Sequence, residues 1–213
     1  MPVVVTGADE PLGALVIDRL APTGIELRAT VDDREAVAPL VARGVKTAVS
    51  DLVDTERFGA VLEGVHTVLH LRGAGDGTLG GRCLAGVSDV VAALPESGVR
   101  RVVTLAPPTG GEGELATLEA ADIDTVVLLT GLVVGGSGAA RNAAPIHTED
   151  LVSALAAADH LRELHGHVRV WAVGSAVVRG PRWRRSGPDL VGDRGAGLRE
   201  VLGITVRGAH SGR

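Results

Sequence analysis

Val3-Val4-Val5-Thr6-Gly7-Ala8-Asp9-Glu10-Pro11-Leu12-Gly13 is the stretch from which the rest of the chain is read. Three consecutive valines predict a short strand buried on both faces. Gly7 turns the chain. Pro11 suits the first position of a helix, with Asp9 or Glu10 expected as the cap before it. From Leu12 the apolar residues recur at helical spacing, which predicts a helix over 12–20. Strand, glycine turn and helix in this order present free backbone N–H groups at a helix N-terminus, a cradle for phosphate. The spacing is Gly-x-x-Gly-x-x-Gly, with Gly7 and Gly13 in place and Glu10 where the middle glycine belongs. That glycine lets the backbone approach a pyrophosphate closely.

A carboxylate at that position has two readings. As a helix cap, its charge is favourable by roughly 0.3–1 kcal/mol. Facing a pyrophosphate about 5 Å away, at an effective dielectric near 20, it repels by roughly 3 kcal/mol. Such a penalty weakens binding by about two orders of magnitude.

Outward from this stretch, strand-like and helix-like segments alternate. Strands are expected at 26–31, 47–49, 67–71, 101–105, 125–129 and 168–173. Helices are expected at 34–43, 55–62, 84–94, 112–121 and 149–164, with a short one near 198–202. Near-continuous apolar strands separated by helices predict a doubly wound parallel sheet covered on both faces, of the Rossmann type. Residues 1–175 make this domain. Residues 176–213 are a short C-terminal segment completing a reduced substrate region, and their basic part, 179–185, reads as a solvated loop or an anion-binding lip.

Bulk composition agrees with a single domain of 213 residues. Hydrophobic residues make up 45% and aromatics 1%, so the core must be built from Val, Leu and Ala. A net charge of -5 argues against nucleic-acid binding. A lone cysteine, Cys83, excludes an internal disulfide and fits a reducing cytoplasm. No secretory leader and no spanning segment is expected. The chain contains no tyrosine, and its sole lysine is Lys46.

Five motifs in order resemble one family, the extended and atypical short-chain dehydrogenase/reductases of the NAD-dependent epimerase/dehydratase and NmrA-like group. Thr6 to Gly13 resembles its Thr-Gly-x-x-Gly-x-x-Gly except at Glu10. Ser50-Asp51-Leu52 resembles the Gly-Asp-Leu whose aspartate lies against the adenine. Val68-Leu69-His70-Leu71-Arg72-Gly73 resembles a Val-Val-His-Leu-Ala-Gly strand end that lies along the cofactor. Gly98-Val99-Arg100-Arg101-Val102-Val103 resembles the entry to the fifth strand. Ile146-His147-Thr148-Glu149-Asp150-Leu151 resembles the opening of a late helix. The resemblance implies cofactor contacts from Gly7, Glu10, Leu12, Gly13, Asp32, Asp51, Leu52, Leu71, Arg72 and Gly73. It implies NAD or NADP as cofactor, with NAD favoured by Asp32-Asp33 at the end of the second strand and neither bound if Glu10 closes the site.

The family's Tyr-x-x-x-Lys is missing, so its usual hydride-transfer chemistry is not inherited. Arg72, Asp76, Thr104 and His147 are the catalytic candidates, at or near the strand ends where such sheets bind ligands. Asp32 and Asp33 read equally as caps of the next helix, and His70 as a core residue. The histidines at 160, 165 and 167 are not spaced for a metal, and none is expected. Three functions stay open. One is an NAD(P)-dependent epimerase- or reductase-like enzyme acting on a small organic metabolite. The second is a cofactor-independent lyase, cyclase or isomerase, and the third a non-catalytic sensor or partner subunit. The expected partner is a small-molecule ligand, with no nucleic acid and no membrane. The resemblance implies a homodimer through the helices at 84–94 and 112–121; Val87, Val90, Val91, Leu115 and Leu118 fit helical spacing there, and core packing would explain them equally.

Overall fold

The computed structural model describes residues 1–74, 84–95, 97–107, 111–130, 133–134, 146–160, 166–172, 183–186 and 189–192. Strand β1 (Val3–Thr6) leads into helix α1 (Pro11–Leu20), then β2 (Leu27–Val31), α2 (Val37–Ala42), β3 (Lys46–Val49) and α3 (Thr55–Leu62). There follow β4 (Thr67–His70), α4 (Val87–Ala93), β5 (Arg101–Ala106), α5 (Glu112–Ala120) and β6 (Asp124–Thr130). Beyond them lie the short β7 (Val133–Val134) and β8 (Ile146–His147), helix α6 (Thr148–His160), β9 (His167–Ala172), β10 (Trp183–Ser186) and β11 (Asp189–Gly192).

Seven strands form one parallel sheet in the order β3-β2-β1-β4-β5-β6-β9. This is the doubly wound arrangement expected from the alternation. The winding reverses between β1 and β4, which pair from Val3 opposite Thr67 to Thr6 opposite His70. Ligands of open parallel sheets lie outside the carboxyl ends of the strands at such a reversal.

Alternation along each strand builds two cores. Val3, Val5, Leu69, Val103, Leu105, Val126 and Leu128 pack on one face, with α1 (Val16, Ile17, Leu20) and α6 (Leu151, Leu155). Val4, Val68, Val102 and Val127 pack on the other, with α3 (Phe58, Leu62), α4 (Val87, Val90) and α5 (Leu115, Leu118). Valine and leucine therefore do the filling that aromatics would do elsewhere. Both helices proposed for a dimer spend Val87, Val90, Leu115 and Leu118 on the chain's own core.

Several boundaries differ from expectation. The second helical segment opens as a 3-10 turn (Arg34–Ala36) before α2, because the Asp33 carboxylate caps it by accepting the Glu35 N–H at 2.8 Å. The fourth helix is shorter than expected, with its regular part at Val87–Ala93. Within the basic segment, β10 pairs antiparallel with β11, Trp183 opposite Gly192, where a loop or lip was expected. The expected helix near 198–202 lies outside the described residues, as do Asp76 and Cys83.

Candidate functional site

Gly7 ends β1 in the left-handed region, with φ +66. A Cβ there would stand 2.8 Å from the Arg72 Cα, so the glycine turn and the exit of β4 are in close backbone contact. At Gly13 a Cβ would fall 2.1 Å from the Gly7 carbonyl oxygen. Only glycine lets α1 cross β1 this closely, the role of the third glycine in a phosphate-type turn. Leu12 and Leu71 have their side chains buried in the core.

The two acidic residues of the turn do not cap α1. Glu10 sits at the cap position with extended backbone, but its side chain makes no capping bond. Its Oε1 instead accepts the Gly73 N–H at 2.6 Å, across the junction between β1 and β4. The Asp9 Oδ2 accepts the N–H groups of Asp32 and Asp33, at 2.9 and 3.0 Å. The expected cap is thus corrected. Pro11 lacks one of the N–H groups that a cap would serve, and both carboxylates are drawn to unpaired donors on neighbouring loops.

Arg72 extends from the end of β4 toward the ends of β2 and β3. Its Nη2 lies 2.9 Å from the Asp32 Oδ2, and its Nη1 donates to the Asp51 carbonyl. Three residues expected to meet the same ligand therefore meet one another. Asp51 also accepts the Val53 N–H through its side chain at 3.2 Å. Leu52 beside it is fully buried and has φ +69, the one non-glycine residue with positive φ among the described residues. The Ser50 hydroxyl oxygen accepts its N–H at 3.2 Å and helps to hold this costly conformation.

Behind this surface lies a neutral polar network. His70 is fully buried, with Nε2 3.0 Å from the Ala85 carbonyl and Nδ1 2.8 Å from the Thr6 hydroxyl. A carbonyl only accepts, so Nε2 carries the proton and Nδ1 accepts from Thr6. The Thr6 oxygen in turn accepts the Leu71 N–H. Burial pushes the His70 pKa down to about 4; the Ala85 bond opposes this and the Arg72 charge adds to it.

Thr104 is buried inside β5 and donates to the His70 carbonyl at 2.9 Å. Its hydroxyl is thereby committed to the sheet, away from solvent. His147 lies in β8, paired with Val134, and its side chain is outside what is described. Asp76 lies outside the described residues. Lys46 opens β3, at the opposite end of the sheet, and pairs with Glu26 at 2.8 Å. Among the described residues no three metal-ligating side chains cluster, and no helix is long and apolar enough to cross a membrane.

Sequence reasoning missed the roles of Asp9 and Leu52. Two adjacent acids inside a glycine turn were the signal for Asp9, since a single helix needs one cap. For Leu52 the one local signal was Ser50, whose hydroxyl oxygen accepts its N–H.

Neither a protein-family model nor a curated protein matches the sequence. Solved structures do match. An anaerobillin reductase from Escherichia coli O157:H7 superposes with a TM-score of 0.66 at 13% identity, over 78% of this chain and 94% of that one. A nucleoside-diphosphate-sugar epimerase from Staphylococcus aureus gives 0.65 at 16%, over 82% and 72%. An NmrA double mutant gives 0.62 at 15%, over 82% and 66%. At these identities the likeness is one of fold, and the fold is that of the epimerase, reductase and NmrA structures.

Proposed function

We propose that this protein is a short-chain dehydrogenase/reductase-like member of the epimerase/dehydratase and NmrA group. In this reading it binds a small organic ligand at the strand ends and serves as a sensor or partner subunit. The observation that carries the reading is the Glu10 carboxylate bonded to the Gly73 N–H where a pyrophosphate would approach. The missing tyrosine and the remote Lys46 support it, because the usual proton donor and its helper have no counterpart.

A dinucleotide fits this turn in part. Gly7 and Gly13 keep the tight turn and the close helix–strand packing, and Asp32 offers the carboxylate that ribose hydroxyls favour, which suits NAD over NADP. Glu10 does not fit, since its charge opposes the phosphates by roughly 3 kcal/mol. NAD(H) is therefore the proposed nucleotide, bound weakly by the wild type. We expect calorimetric titration to give NADH binding about 100-fold tighter for Glu10→Gly than for the wild type. Equal, micromolar binding by both proteins would sink the reading and favour a cofactor-using enzyme on a small metabolite.

A further inference from the structure

The Arg72 side chain crosses the part of the crevice formed by the ends of β1, β2 and β3. Arg72 leaves the chain beside the glycine turn, where its Cα would crowd any side chain at Gly7. In the sheet order β3-β2-β1-β4 its guanidinium must pass the ends of β1 and β2 to reach the Asp51 carbonyl beyond β3. On the way it pairs with the Asp32 carboxylate at 2.9 Å. The arginine is well covered, with 25% of its side chain exposed, while Asp32 is 53% exposed. Asp9 fastens the same loop from the other side, accepting the Asp32 and Asp33 N–H groups. Loop ends of β1, β2, β3 and β4 are thus tied together by the chain's own charged groups, over the strand ends where an adenosine would lie.

We infer that Arg72 is a strap across the adenosine half of the crevice, and that a nucleotide enters only when its guanidinium leaves Asp32 and Asp51. The inference rests on the reading that the crevice accepts an NAD-type dinucleotide. It differs from the effect of Glu10, which opposes the phosphates by charge, because the strap occupies space and the hydrogen-bonding capacity of Asp32. Lysine separates the two effects. It keeps the positive charge but lacks the planar fork that reaches two acceptors at once.

The test uses the full chain and NADH as probe, in a Glu10→Gly background where binding is measurable. Arg72→Lys should tighten NADH binding about three- to tenfold, the amount released by losing one hydrogen bond of the fork while the charge is kept. Unchanged or weaker binding, while the Glu10→Gly parent binds, overturns the strap and leaves the dinucleotide reading standing. A ligand-free measurement runs beside it. A clamped guanidinium rotates slowly, so the two terminal nitrogens of Arg72 should give separate NMR resonances without nucleotide. With saturating NADH on the Glu10→Gly protein they should merge. A single averaged resonance without nucleotide also overturns the strap. Failure of every variant to bind NADH ends the dinucleotide reading, and the gate with it, whatever the resonances show.

Discussion

His70 shows how one residue can look like chemistry and serve packing. It stands near the strand ends, yet both ring nitrogens are satisfied inside the protein and its pKa falls to about 4. The unfolded chain returns it to an ordinary value near 6.5. Between those values the unfolded state binds more protons, so stability falls as the pH drops. The contribution is fully present above about pH 6.5 and is lost toward pH 4, amounting to about 3 kcal/mol. Urea midpoints taken across that range should show the decline, and His70→Gln should flatten it at the cost of lower stability at neutral pH. A slope that survives the substitution unchanged would assign the effect to other groups, His66 first among them, since partial burial lowers its pKa too.

At the scale of the element, α6 is held by a residue that the motif reading treated only as the entry to a strand. Arg101 opens β5 and is buried. It donates through Nη1 to the carbonyls of Ala158 and Asp159, at 2.9 and 3.2 Å, in the last turn of α6. A cation at this end of the helix also complements the helix dipole. Asp124 at the start of β6 lies 3.8 Å from its Nη2. Arg101→Met should remove both of these buried charge-assisted bonds and cost about 2–4 kcal/mol. Calorimetric melting reads the loss. Faster amide exchange confined to the last turn of α6 would locate it, and unchanged exchange there would refute the anchoring role.

At the scale of the whole molecule, the two faces of the sheet compete for the same apolar residues that a dimer would use. Leu118 is fully buried against the second core. Leu118→Ala should cost about 2–5 kcal/mol. The loss should be the same at low and high protein concentration, because it is a loss within one chain. A shift that grows on dilution would support the dimer reading. By itself the sequence determined the architecture. Valine-rich strands, glycine stops and helical spacing are short-range signals, and a parallel doubly wound sheet is the packing that buries them all. The same signals placed the glycine turn, and the composition holds no tyrosine and one lysine, Lys46. Only the tertiary structure decided what the charged residues do. Asp9, Glu10, Asp32, Asp51 and Arg72 come from four separate loops, and nothing in their sequence spacing says which will pair. The capping role expected of Glu10 failed for that reason. The helix N-terminus offered it a local partner, but the fold brought the Gly73 N–H within 2.6 Å, and the side chain took the partner that only the closed sheet could supply.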